Sequence, residues 1–190
     1  MTSAEIFPHI RILLGTVIGL GLVRLLMTVA AIVQHPQRAK SSPLHLLWLG
    51  SMVIELILFW WWEFALFHLQ TWTFGVTLFL VAYAVMLFLL AALLSPDNIS
   101  EYDGYEDFFL KRRQWFFGLF AVVALFDVID TLLKGAQYWE RFGPSYFLQA
   151  PIGIVICIIA CYSANRRLHL GIVSLHIAYQ LFQISRYFNG

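Results

Sequence analysis

The chain has 190 residues, of which 61% are apolar and 12% charged, whereas a soluble domain carries about a quarter charged residues. So few charges cannot cover a water-facing surface, but a lipid-facing surface needs none, and the mean hydropathy of +0.77 agrees with this. The net charge of +1 provides no basic field, which argues against a nucleic-acid partner.

Six apolar stretches approach the length of about 20 residues that crosses roughly 30 Å of hydrocarbon. Short polar turns containing Pro or Gly separate them. In chain order the stretches are 10–33, 44–66, 71–94, 115–133, 147–164 and 168–187. We therefore predict an all-α polytopic membrane bundle of six transmembrane helices. It forms a single transmembrane domain over residues 1–190, in which 96–112 is an interfacial loop.

The basic residues of the turns predict the orientation, because cytoplasmic loops are enriched in Lys and Arg. One set of turns carries seven of them and the other set four: Arg38, Lys40, Lys111, Arg112, Arg113, Arg166 and Arg167 against Arg11, Lys134, Arg141 and Arg186. We expect a bacterial inner membrane protein with both termini on the periplasmic side.

The two halves of the chain, residues 10–95 and 113–188, resemble each other weakly. A shift of 96 places Gly75 and Tyr83 on Gly171 and Tyr179, and a shift of 103 places Arg24 on Asp127. Three spans in each half would make the copies antiparallel, a 3+3 inverted-topology repeat. Transporters and channels use this arrangement, although the link to them is an analogy of fold.

Ionisable groups inside the spans are the main functional candidates, because they are costly in hydrocarbon unless paired or hydrated. Counted along the helices, Arg24, Glu55 and Asp127 lie about 13 to 18 Å from the inner side. Three further side chains fall in this central layer: Tyr83, His176 and Tyr179.

We expect Arg24 to pair with Glu55, which leaves two carboxyl groups for one guanidinium. One carboxyl group would then bind a proton, as a proton relay or a cation site requires. In the alternative, Arg24 and Glu55 form a buried pair that fixes helix register. Asp127 then only accepts a hydrogen bond from Tyr83 or Tyr179.

A second layer, about 22 to 28 Å from the inner side, contains Glu63, Asp130 and Arg186. For Glu63 and Arg186 the simpler interpretation is an interfacial side chain or a single salt bridge. Asp130 lies one helical turn from Asp127 and either extends a hydrated path toward the outer side or is a solvated residue at a helix end.

The sequence predicts no catalytic residue, no metal site and no cofactor. Cys157 and Cys161 lie four apart in an apolar run, which favours packing over metal binding. His45 and His68 sit near opposite ends of one predicted span, which argues against haem ligation. The Gly15-x-x-x-Gly19 pattern indicates close helix packing, within the bundle or at a homodimer seam.

These features favour a small channel or secondary transporter for protons, an inorganic ion or a small solute. A non-transporting accessory or scaffold subunit, or a lipid-binding membrane protein, is the alternative. A third hypothesis is a membrane enzyme that acts on lipid or quinone near Glu63 and His68. The expected partners are membrane lipids, together with a second copy of the chain or a larger membrane complex.

Overall fold

The computed structural model describes residues 3–69, 71–140 and 146–188, and these residues form helices and turns without a strand. The α-helices are α1 (Ser3–Gln34), α2 (Pro43–Trp62), α3 (Phe74–Leu93), α4 (Tyr105–Leu133), α5 (Ala136–Glu140), α6 (Tyr146–Tyr162) and α7 (Arg166–Phe188). A 3-10 helix, Glu63–His68, extends α2, and a shorter one, Ile99–Glu101, precedes α4. The predicted all-α fold is confirmed.

Within the described residues, four segments are long and apolar enough to cross a membrane, as expected of an integral membrane protein. They are Glu5–Gln34, Pro43–Phe67, Phe74–Leu93 and Tyr105–Leu133. The two remaining predicted spans differ from these. Helix α6 is apolar but has 17 residues, and α7 has 23 residues but is more polar.

Two helices begin earlier than hydropathy predicts. Helix α1 starts at Ser3 instead of Ile10, and α4 starts at Tyr105 instead of Trp115. Both extensions contain charged residues, which lower the hydropathy. A helix nevertheless continues past the hydrocarbon wherever its backbone hydrogen bonds and side-chain contacts persist. The predicted loop 96–112 is therefore helical from Tyr105 onward. Residues 141–145, which include Arg141 and part of the predicted turn between the fourth and fifth spans, lie outside the described residues.

The long helices pack so that α1 contacts α2 and α3, α4 contacts α3 and α6, and α2 contacts α7. Close approach of α1 depends on Gly21, where an added Cβ would lie 3.2 Å from Leu56 and 3.7 Å from Phe88. An added Cβ at Gly19 would meet nothing within 4 Å. An added Cβ at Gly15 would make an ordinary contact with Trp60 at 3.6 Å. The tightest approach of α1 to its neighbours is therefore at Gly21.

Three turns meet at one end of the bundle, which we call the basic end: 35–42, 94–104 and 163–165. The Tyr105 N–H donates to the Lys40 carbonyl (3.1 Å). The Ser42 hydroxyl donates to Glu106 (3.0 Å), and Arg166 pairs with the same carboxyl group (3.0 Å). An apolar cluster packs in the same region: Ile32, Ile99, Tyr105 and Phe108. The turn 94–104 and the start of α4 are thus packed against the end of α1 and the start of α2.

Gly104, at the start of α4, should tolerate no side chain. Its φ of 118° and ψ of −179° lie in a region that is essentially restricted to glycine, and an added Cβ would lie 2.9 Å from the Lys40 carbonyl oxygen. We expect Gly104→Ala to lower the free energy of unfolding by about 1–3 kcal/mol, measured on the purified protein in detergent.

The matched control is Gly118→Ala within α4, where an added Cβ meets nothing within 4 Å. This change should be neutral or should stabilise the protein by about 0.5–1 kcal/mol. Equal losses at the two positions would contradict the role assigned to Gly104.

Candidate functional site

A cavity of about 400 Å³ lies between α2, α4, α6 and α7. It exists because α6 and α7, although joined by a short turn, barely contact each other. Its wall is largely apolar and includes several aromatic rings: Trp48, Trp62, Tyr83, Phe117 and Phe120. Two carboxyl groups, those of Glu55 and Asp127, reach this wall from α2 and α4.

A hydrogen-bonded network between α2 and α7 holds Glu55. The Gln180 amide donates to Glu55 (2.7 Å) and to the Ser51 carbonyl oxygen (3.1 Å). The Ser51 hydroxyl donates to the Gln180 side-chain oxygen (3.2 Å) and lies 2.7 Å from His176 Nδ1. Because this hydroxyl has one proton, Nδ1 of His176 acts as the donor to Ser51.

The remaining ring nitrogen of His176 faces Glu55. Its Nε2 lies 3.8 Å from a Glu55 carboxyl oxygen, and the two side chains are 20% and 17% exposed. This distance is too long for a direct hydrogen bond. Glu55 and His176 thus form a pair of proton acceptors at the cavity wall.

Asp127 is held from α6. The Tyr146 hydroxyl donates to Asp127 Oδ2 (2.8 Å) and lies 2.8 Å from the Thr131 hydroxyl. The sequence had suggested Tyr83 or Tyr179 as the donor, and the structure gives this part to Tyr146. Tyr83 and Tyr179 line the same cavity, where the Tyr179 hydroxyl accepts a hydrogen bond from Gln183 (2.5 Å).

The cavity is acidic, since none of its described lining residues is a Lys or an Arg. Glu55 and Asp127 contribute its carboxyl groups, and His176 contributes an imidazole. The side chains predicted to form the central layer all line this cavity, except that of Arg24.

Arg24 binds elsewhere, so the predicted pair with Glu55 is wrong. Its guanidinium donates to Asp97 (2.6 Å) and to the Ser95 carbonyl oxygen (3.2 Å), just beyond the end of α3. The depths predicted from the sequence were counted from Val33, the end of the first predicted span, which was taken as the inner boundary of the membrane. In the structure Arg24 lies beside Ser95 and Asp97, just after the end of α3, although α1 itself continues to Gln34. Helix α1 therefore extends well past α3, and Arg24 lies near the basic end.

The second predicted layer contains a buried triad of Glu63, Asp130 and Lys134. Lys134 Nζ lies 2.8 Å from Glu63 Oε1 and also pairs with Asp130 Oδ2. The three side chains are at most 4% exposed. Glu63 Oε2 and Asp130 Oδ1 are buried without a hydrogen-bond partner. Two acids therefore share one ammonium group.

Of the two alternatives predicted for Glu63, the structure shows the salt bridge and not the interfacial position. The burial of Asp130 contradicts the prediction of a hydrated or solvated side chain. Lys134 was not expected in the cluster, because the sequence places it just past the end of a span. The available signal was its spacing of four residues from Asp130, which brings the two side chains onto one helical face. Arg186, the third member of the predicted layer, is exposed on the last turn of α7.

The other histidine and cysteine side chains that the structure describes do not come together as a metal centre. Within the described residues, no group of three or more His, Cys, Asp or Glu side chains is placed to hold a metal ion. His45 and His169 each bond a backbone carbonyl oxygen at 2.7 Å, those of Leu94 and Ser163. The side chain of His68, invoked for the lipid or quinone enzyme, lies outside the described residues.

Comparison with protein-family models, curated proteins and solved structures identifies no match for this chain. The type of ligand is therefore inferred from the residues that line the cavity. Carboxyl groups inside a membrane bundle bind protons or cations, and the faces of aromatic rings attract organic and inorganic cations. The arrangement around Glu55 and Asp127 is suited to a positively charged guest.

Proposed function

We propose that the protein is a small secondary transporter that binds a proton or another cation at Glu55 and Asp127. The observation that supports this is the presence of two carboxyl groups in a cavity with no Lys or Arg among its described lining residues. Acids inside a membrane bundle are costly, and they commonly mark a binding site or an ion pathway. His176, next to Glu55, adds a proton acceptor at the same wall.

The proposal includes six spans. Helix α6 packs on α4 and α7 packs on α2, so both belong to the bundle formed by the four apolar helices. With six spans, the two termini lie on the side opposite the basic end. Because Lys and Arg favour the cytoplasm, this side is the periplasm of a bacterial inner membrane. A 3+3 inverted repeat remains part of the proposal.

The transport proposal is tested by flux into liposomes containing the purified protein, with imposed gradients of H⁺, Na⁺ and K⁺. We expect Glu55→Gln and Asp127→Asn to reduce the flux at least about tenfold, which corresponds to about 1.4 kcal/mol. Glu101→Gln changes an exposed carboxyl group at the basic end and should leave the flux unchanged. Wild-type protein without flux above empty vesicles for these ions or for an organic cation would overturn the proposal.

A second candidate is a non-transporting subunit or lipid-binding protein of a membrane complex. The observation in its favour is the large apolar area left exposed on α6, which includes Leu148, Val155 and Ile159. Such faces contact lipid, a second copy of the chain or another membrane protein. A stoichiometric partner that persists in mild detergent, together with absent flux, would favour this candidate.

A further inference from the structure

The cavity opens sideways, between α6 and α7. Ile152 on α6 and Leu175 on α7 line it and are also 56% and 62% exposed. The neighbouring outward-facing side chains are apolar as well, including Val155 and Phe182. An opening with an apolar rim on a membrane-embedded face communicates with the hydrocarbon of the bilayer.

Buried side chains close the two ends of the cavity. At one end the ring of Trp48 packs edge-to-face on Phe117 and Phe120, with centroid distances of 5.4 and 6.2 Å. At the other end Tyr146 and Gln183 are 7% and 6% exposed. The gap between α6 and α7 is therefore the open route that the described residues leave into the cavity.

The interior suits a guest that is both apolar and positively charged. A bare inorganic cation needs several oxygen ligands to replace its water, and an aromatic, apolar wall supplies few. An organic cation can place its charge near Glu55 or Asp127, lay its apolar body on the wall, and gain cation–π attraction from the rings. A volume of about 400 Å³ lies in the usual range for small-molecule sites.

Two indole groups of the wall also lack a partner. Nε1 of Trp48 and Nε1 of Trp62 are buried and have no hydrogen-bond acceptor, and both residues line the cavity. Buried donors are nearly always satisfied in native proteins. A bound molecule with an acceptor atom would complete their hydrogen bonding.

Resting on the proposed transport function, we infer that the substrate is a lipophilic organic cation that enters from the bilayer between α6 and α7. Its positive group binds at Glu55 and Asp127, and its apolar part contacts the aromatic wall. The two carboxyl groups thus favour positively charged molecules. The lateral opening favours molecules that dissolve in the membrane.

The inference is tested by equilibrium binding of tetraphenylphosphonium to the protein in lipid nanodiscs. Tetraphenylborate, which has the same shape and the opposite charge, is the matched ligand control. We expect saturable binding of the cation alone, weakened at least about tenfold (about 1.4 kcal/mol) by Glu55→Gln and by Asp127→Asn. Glu101→Gln should bind as wild type does.

Two further variants test the route of entry. Leu175→Trp enlarges a rim side chain and should slow tetraphenylphosphonium association, whereas Leu181→Trp, on an exposed part of α7 that does not line the cavity, should not. Equal association rates would contradict lateral entry.

The outcomes separate this inference from the transport proposal. Wild type that conducts H⁺ or Na⁺ into liposomes but shows no saturable tetraphenylphosphonium binding overturns the substrate class and leaves transport standing. Binding that ignores the sign of the ligand charge, or that survives both carboxyl substitutions, also overturns it. Charge-selective binding without flux of any ion or of tetraphenylphosphonium supports the site and overturns transport.

Discussion

Lys134→Met should destabilise the protein far more than neutralising either of the acids that Lys134 binds. The Lys134 ammonium lies 2.8 Å from Glu63 and also pairs with Asp130. Removing it leaves two buried carboxyl groups without a counter-charge. Breaking a buried ion pair in this way costs about 3–5 kcal/mol.

Glu63→Gln and Asp130→Asn should behave differently, because each leaves one acid paired with one base. Each acid also has a buried oxygen without a partner, Glu63 Oε2 and Asp130 Oδ1, so neutralising one acid removes part of the repulsion between them. We expect each change to be near neutral or stabilising. Equilibrium unfolding of the three variants in mixed detergent measures the order of their stabilities.

The triple variant Lys134→Met, Glu63→Gln, Asp130→Asn provides the control for size and shape. It removes every charge of the triad and should recover most of the stability that Lys134→Met loses, since replacing buried ionic groups by uncharged ones is often neutral. A loss for Glu63→Gln as large as that for Lys134→Met would show that the triad is not unbalanced in charge.

Trp48→Ala should cause the second large loss, about 3–5 kcal/mol of unfolding free energy. The Trp48 ring is fully buried and packs on Phe109, Phe116 and Phe117 at centroid distances of 6.0, 5.0 and 5.4 Å. Removal of the ring leaves a void. The dispersion contacts of the ring are lost whether water or lipid surrounds the protein. Thermal unfolding followed by far-UV circular dichroism measures the effect.

Trp115→Ala is the matched control, because this tryptophan is 71% exposed. Surface substitutions of this kind usually change stability by less than about 0.5 kcal/mol. Trp48→Phe should lose less than Trp48→Ala because part of the ring packing is kept. Comparable losses at Trp48 and Trp115 would contradict the assignment of Trp48 to the packed end of the cavity.

Hydropathy and helical geometry predicted much of this arrangement. Long apolar runs place α1 to α4 with errors mainly at polar ends, where a helix continues without a hydropathy signal. Counting residues from the inner side put six side chains in one layer, and five of them line the same cavity: Glu55, Tyr83, Asp127, His176 and Tyr179. These residues lie at similar depths because their helices lie side by side.

The same counting failed where a helix end does not mark the membrane boundary. Arg24 was placed beside Glu55 because α1 was taken to end with its neighbours, whereas it extends past α3. Tyr146 and Lys134 were missed because both lie at the edges of predicted spans. Their roles depend on contacts between helices, and the order of neighbours in the bundle is not encoded in the periodicity of any single helix.

Labelling with dicyclohexylcarbodiimide tests the cavity most directly, because this reagent is lipid-soluble and a protonated carboxyl group adds its O–H across a C=N bond of the reagent. Glu55 and Asp127 line the laterally open cavity, whereas Glu63 and Asp130 are at most 4% exposed and bind Lys134. Peptide mass spectrometry should therefore find the adduct on Glu55 or Asp127. Glu55→Gln combined with Asp127→Asn should abolish it. Labelling confined to other acids, or unchanged in the double variant, would contradict an acidic site reached from the bilayer.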